Sequence, residues 1–472
     1  MEVSCALPLD WGAELSLLLK NGTVITASAV FAADVFVRDG KVVALGRGIP
    51  FKAERVVDVS NKYVLPGGVD VHTHLDMPSG QTMTSDDFAS GTVAAAVGGT
   101  TTIVDYAMQK PGQTLPQTIE LWQEKASGRA VVDYGFHLMV CDPYDGFERD
   151  LRGIVAEGVT SLKVFMAFPG SFMIDDGQML RVMAVGAECG ARTCVHAESG
   201  GMIEYLGSQL VREGKVAPRF HPIARPPLAE VDAVNRAIGL SAAAKAPVYF
   251  VHLSTSGAAE AVARAQLSGL PVSGETCTHY LTLDSSLYDL PDFEGAKAVM
   301  SPPLRRREDG DALWRAVANG VLSIVSSDHC PFNFKGQKEI GRDDFRQIPS
   351  GAPGIESRMI LLYGVGVQEK RLTLTDFVRV TATNPAVHFG MHPRKGDIAV
   401  GSDADIVVLD PSRQTLISAA TQRQHVDYSL WEGWQVPGFI DQVYLRGRLV
   451  VDDGAYVGGP GGGEYVARAS LA

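Results

Sequence analysis

The sequence predicts an α/β chain: a (β/α)8 TIM barrel with a small β-sandwich domain built from both chain ends. Three observations predict it. Eight short apolar runs recur from Tyr63 onward, and segments of helical composition separate most of them. The two ends of the chain read instead as strands joined by tight turns. No Gly-rich dinucleotide loop follows an early strand, which disfavours the main alternative, a doubly wound open sheet. The expected segments are 1–62 for the first part of the sandwich, 63–392 for the barrel, and 393–472 for the rest of the sandwich plus a tail.

At 472 residues the chain is long for a single core, in keeping with one large and one small domain. A formal net charge of -12 disfavours nucleic acid or an anionic membrane as partner, since both select basic surfaces. No apolar run is long enough to span a bilayer. Cys5, Cys141, Cys189, Cys194, Cys277 and Cys330 are scattered without a disulfide-framework spacing, which fits reduced thiols in the cytoplasm. The start, Met-Glu-Val, lacks the basic region of a signal peptide.

In chain order, residues 1–15 read as a loose extension. Leu17 to Thr26 reads as a hairpin, because Asn21-Gly22 favours a type I′ turn. Residues 33–45 repeat the pattern around Asp39-Gly40. The eight barrel strands are expected at 65–71, 100–106, 134–140, 161–165, 193–196, 248–253, 271–276 and 322–326. Helical composition is clearest at 180–188 and 258–266. Insertions between strands 5 and 6 and between 7 and 8 are expected to cover the site. After Asp328 the chain reads as helical at 372–382 and 385–389, then as β at 401–409, with a last hairpin turning at Gly447-Arg448. These strands are expected to pair with the N-terminal ones. The glycine-rich stretch 458–463 reads as mobile. Tyr428, Leu430, Trp431 and Trp434 suit either an interface or packing under the barrel.

Active residues of such barrels sit where the strands end. Strand 1 ends in His72 and His74, two apart and so on one side of an extended chain. Strand 4 holds Lys163, strand 5 ends in His196, strand 6 in His252 and strand 8 in Asp328. Taken singly, each has a plain structural reading: a satisfied histidine, a snorkelling lysine, a helix-capping aspartate. Together, at one end of five strands, they point to chemistry, because unpaired buried polar groups are costly. His72, His74 and Asp328 suit one divalent metal, and His196 and His252 suit a second. Two close dications need an anionic bridge. A desolvated Lys163 that loses its proton and takes up carbon dioxide becomes a carbamate, which supplies one. Asp328 is placed to move a proton between the attacking water and a leaving nitrogen. This is metal-assisted hydrolysis of an amide-like bond.

The run His72-Thr73-His74-Leu75-Asp76-Met77-Pro78, with Lys163, His196, His252, Ser326-Ser327-Asp328-His329-Cys330-Pro331-Phe332 and Met300 to Arg305, resembles the dihydropyrimidinase and hydantoinase branch of the cyclic amidohydrolases over nearly the whole chain. The resemblance implies two zinc ions bridged by carboxylated Lys163. It implies ring opening of small cyclic amides, dihydropyrimidines or hydantoins, to N-carbamoyl amino acids. It also implies substrate binding through the backbone at Ser301, and a homotetramer.

Two positions depart from the family pattern. Phe168 stands where the family usually has a tyrosine, whose hydroxyl resembles a donor to the developing oxyanion. Losing one such donor costs about 10²–10³ in rate. Ser350-Gly351 stands where Asn-Gly is frequent, a change of little weight if only the backbone is used. Asp76 occupies the place where related dihydroorotases hold an arginine, and its charge opposes a carboxylate substrate. Met77, Phe165, Phe168 and Phe172 suit an apolar pocket wall or core packing. Two further readings are a hydrolase for another cyclic imide or lactam, suggested by Phe168, and a non-catalytic scaffold similar to the collapsin response mediator proteins. Those scaffolds lack part of the ligand set, whereas this chain keeps all six positions.

Overall fold

A computed structural model of the protein describes residues 16–470; the expected N-terminal extension lies outside the described residues. Eight strands, Gly68–Thr73, Thr100–Met108, Asp133–Met139, Ser161–Phe165, Arg192–His196, Val248–Phe250, Val272–Cys277 and Ile324–Ser326, pair in parallel in chain order. Strand 8 meets strand 1 just past its own end: the His329 N–H donates to the His72 carbonyl at 3.3 Å and the His74 N–H to the His329 carbonyl at 2.9 Å. This is the expected (β/α)8 barrel. Helices cover it with apolar stripes at helical spacing, as in Phe147–Ala156, which buries Phe147, Leu151, Ile154 and Val155. The expected helices at 180–188 and 258–266 are longer at their starts. They begin at the caps Asp175 and Thr255, whose side chains accept from backbone N–H groups of the first turn.

The run expected as barrel strand 1 is broken at Gly67. Tyr63–Pro66 belongs to the other sheet, pairing with Ser16–Ile25 and Ile406–Leu416, and the barrel strand begins at Gly68. A Cβ on Gly67 would lie 2.0 Å from Thr101 Oγ1, so the chain crosses between sheets where no side chain fits.

Both chain ends build one nine-stranded sheet, separate from the barrel and closed over its own core of Leu17, Val35, Val64, Ile406 and Tyr444. The pairing between the ends is as expected, with Tyr63–Pro66 hydrogen-bonded to an N-terminal strand on one side and a C-terminal strand on the other. The hairpin expected at Asn21-Gly22 is absent. Ser16–Ile25 runs through as one strand, with a bulge between Leu19 and Gly22. A type I′ turn needs two residues at positive φ. Here Asn21 alone adopts φ 67° without its glycine neighbour joining it, and its N–H donates to Asp34 Oδ1 at 2.9 Å. Asp39-Gly40, at φ 49° and 73°, does form its turn. The last hairpin turns at Arg446-Gly447, one residue before the expected pair.

The glycine-rich stretch near the C-terminus is docked rather than loose. The Gly463 N–H donates to the Ala130 carbonyl at 2.9 Å, and the Val466 N–H to the Tyr134 carbonyl at 2.7 Å. Buried Arg468 donates to Ser161 Oγ at 2.8 Å and to the Phe136 carbonyl. A cluster of charges joins sheet to barrel: the buried Lys395 ammonium sits against Asp133 of barrel strand 3, Asp403 at 2.8 Å and Asp405 at 2.7 Å. Tyr428, Leu430 and Trp431 are buried, with Trp431 Nε1 donating to Thr282 Oγ1 at 2.9 Å, while Trp434 stays partly exposed.

Candidate active site

The strand ends bring the six expected residues together. His72 and His74 leave strand 1 on the same side and approach the same oxygen: Asp328 Oδ1 is 3.1 Å from His72 Nε2 and 3.3 Å from His74 Nε2. His196 Nδ1 faces His252 Nε2 at 2.9 Å. The two groups adjoin, with the His72 and His252 ring centroids 5.3 Å apart. His252 and Asp328 adopt φ 41° and 48° as they leave their strands. Non-glycine residues seldom occupy this region, and such strain collects at functional sites.

Lys163 lies among these groups, buried, with Nζ 4.6 Å from the Tyr106 ring centroid and no ion pair among the described residues. Burial pushes its ammonium down to about 8. Burial likewise drives His72 and His252 well below the usual imidazole range, so both stay neutral and carry a lone pair. Burial opposes ionisation of Asp328, but the adjacent His72 and a hydrogen bond from His74 hold its carboxyl well below the usual range.

The sequence reading missed the residues that orient these side chains. Glu275 Oε1 lies 2.5 Å from His72 Nδ1, and Glu275 also accepts from Tyr249 OH at 2.9 Å. Glu198 Oε2 lies 2.8 Å from His196 Nε2 and accepts from Arg225. Asp70 Oδ1 accepts from the backbone of His72 and of Ser327, each at 3.2 Å, tying strand 1 to strand 8. The available signal was a charged residue inside an apolar strand, as with Glu275.

Phe168, Ser301 and Ser350 line one cavity of about 460 Å³ with His74, Lys163, His196, His252 and Asp328. Ser301 Oγ and Ser350 Oγ are 2.8 Å apart. The Phe168 ring centroid is 5.2 Å from that of His196, and the Arg225 guanidinium lies 5.0 Å from the Phe168 ring. Met77, Phe165 and Phe172 join Phe168 in the apolar wall. The covering loops differ in part from expectation. The insertion between strands 7 and 8 contributes Ser301, but residues 197–247, between strands 5 and 6, line none of the cavity. Most of the remaining wall comes from loops after strands 1, 4 and 8, with Met139 at the end of strand 3.

The donor set fits a metal pair. His72, His74 and Asp328 offer three ligand atoms that all lie within 4.8 Å of one another. His72 Nε2, one of those three ligand atoms, is buried without a hydrogen-bond partner among the described residues. Such orphaned atoms are costly unless a cation or another group takes them up. A second buried acidic group, Asp133, Asp403 and Asp405, already surrounds the Lys395 ammonium.

Fold and cavity together define a barrel hydrolase. Residues 63–450 match the model of the amidohydrolase family. D-hydantoinase from Geobacillus stearothermophilus is 47% identical over 456 residues, covering 96% of this chain and 97% of the relative. D-hydantoinase from Streptomyces coelicolor is 48% identical over 458 residues, covering 96% and 98%. The crystal structure of dihydropyrimidinase from Brevibacillus agri superposes with a TM-score of 0.96 at 49% identity, covering 97% of this chain and all of that one. The chain belongs to the amidohydrolase family, in its hydantoinase and dihydropyrimidinase branch, and is a cyclic amidohydrolase. No helix among the described residues is long and apolar enough to cross a membrane.

Proposed function

We propose that the protein opens the ring of dihydropyrimidines or 5-substituted hydantoins to N-carbamoyl amino acids at a pair of zinc ions. The observation that carries this is the convergence of two ligand groups on the buried, unpaired Lys163. His72, His74 and Asp328 would hold one ion, His196 and His252 the other, and carboxylated Lys163 would bridge them. Bound there, such ions would supply an acidified water and polarisation of the scissile carbonyl. Asp328, facing the cavity, takes the proton of the attacking water and returns it to the departing ring nitrogen. Ser301 holds the ring amide through its backbone N–H and carbonyl, neither of which has a partner among the described residues. The wall of Met77, Phe165, Phe168 and Phe172 takes the apolar substituent and sheds water. Ser350 lies beside Ser301 at the same end of the substrate. A homotetramer in the cytoplasm completes the reading, supported by the family resemblance and by the free thiols of the cysteines among the described residues.

The test is ring opening of dihydrouracil and of D- and L-5-substituted hydantoins by zinc- and bicarbonate-reconstituted protein. Fast turnover of any one supports the reading. No turnover with two metals bound removes these substrates, and no metal uptake removes the centre. The D enantiomers come first, because relatives of 45–48% identity are named D-hydantoinases, whereas an L-hydantoinase structure matches at 29%.

A further inference from the structure

Lys338 is a fully buried lysine, outside the metal group, with no acidic partner among the described residues. Its Nζ donates three hydrogen bonds, each 2.7 Å long, to the carbonyls of Val299, Pro349 and Gly351. An ammonium has three N–H donors and no acceptor, so the three carbonyls saturate it. Burying a charge without a counter-charge is expensive, so the arrangement demands a return elsewhere.

The identity of the three acceptors shows where that return lies. Pro349 and Gly351 flank Ser350 on either side, and Val299 lies two residues before Ser301. The two segments touch directly as well, through the Gly351 N–H on the Val299 carbonyl at 3.0 Å. The rest of the first segment is equally held: His221 bonds the Met300 carbonyl at 2.8 Å, and Tyr280 OH donates to the Pro302 carbonyl at 2.6 Å. In this run of four residues, only the Ser301 carbonyl has no partner among the described residues, and Ser301 lines the cavity.

We propose that Lys338 is a positioning residue that locks the Ser301 and Ser350 segments into one cradle for the substrate ring. It touches neither substrate nor the reacting atoms. Its effect falls on binding geometry, because its three acceptors belong to the Ser301 and Ser350 segments and none to a metal-group residue. A neutral amine keeps two N–H donors and turns a lone pair toward the third carbonyl, so the lock needs the ammonium. Burial pushes that ammonium down to about 7. The inference rests on the reading of Ser301 and Ser350 as substrate-facing.

The test is Lys338→Met, which keeps the length of the side chain and removes its donors. Zinc content, thermal midpoint, kcat and KM for a 5-substituted hydantoin are measured beside the wild type. The expected result is unchanged zinc content with KM raised about tenfold or more and kcat within about threefold, the signature of lost binding shared by ground and transition states. Lys338→Gln, which keeps two N–H donors, is expected to fall between the two, and it carries the test by the same criteria should the methionine variant not fold. A folded, zinc-loaded variant with KM unchanged overturns the proposal, whether or not kcat falls. Failure of the wild type itself to open hydantoins overturns the substrate reading, and this inference with it.

Discussion

Glu198 Oε2 lies 2.8 Å from His196 Nε2, so the nitrogen that His196 turns toward His252 is Nδ1, 2.9 Å from His252 Nε2. A carboxylate on one ring nitrogen fixes the proton there and leaves a lone pair on the other. Two neutral imidazoles meeting in this way suit a shared cation. Glu198→Gln keeps the volume and removes the charge. It is expected to weaken zinc binding by about 10–100-fold, the usual cost of losing such a partner. Competition with a chromophoric chelator measures this, and wild-type affinity in the variant would remove Glu198 from the orienting role.

Lys163→Ala is expected to lose metal from the centre if the side chain carries the proposed bridging anion. Elemental analysis of the purified variant gives the count. Retention of two metals per chain would sink the carbamate bridge.

Asp328→Asn is expected to abolish turnover while leaving the fold intact, since an amide cannot carry the proton. Circular dichroism and the thermal midpoint report the fold, and hydantoin turnover reports the chemistry. Near-normal activity would take Asp328 out of proton transfer.

Phe168 lines the cavity beside His196 without a hydroxyl. Phe168→Tyr is expected to raise kcat on hydantoins, by up to about 10²–10³ if the missing donor is what limits the rate. No change, or a fall, would show that another group serves the oxyanion or that the preferred substrate differs.

Lys395→Met leaves Asp133, Asp403 and Asp405 without the cation at their centre. Breaking a buried pair in this way costs about 3–5 kcal/mol, which denaturant unfolding would detect; a loss below 1 kcal/mol (~ the surface range) would reject the role. In the wild type burial opposes the charge on Lys395, but the three carboxylates raise it above its ordinary 10.5. Its contribution is therefore complete below that pH and lost as pH rises through the higher folded value. Burial also opposes ionisation of Asp403, yet Lys395 leads the groups that hold it below its ordinary 3.8. Its contribution is present above 3.8 and lost on acidification. Stability from this pair is thus expected to fall away at both extremes, and a variant with the wild-type pH dependence would contradict it.

The sequence by itself determined the barrel, the pairing of the two chain ends and the six residues that meet at the strand ends. Period and position settle such features: an apolar run fixes a buried strand, and a His-x-His pair leaving it keeps both rings on one side. Tertiary structure alone decided the rest. Asn21-Gly22 became a bulge because its strand had neighbours to pair with on both sides of the interruption. The glycine-rich tail docked because Gly463 fits where a Cβ would lie 2.0 Å from the Val132 carbonyl. Glu198, Glu275 and Lys338 acquire partners from segments 27 to 203 residues away. A buried charge is legible locally only as an oddity, and what compensates it depends on which distant groups the fold brings within hydrogen-bond reach.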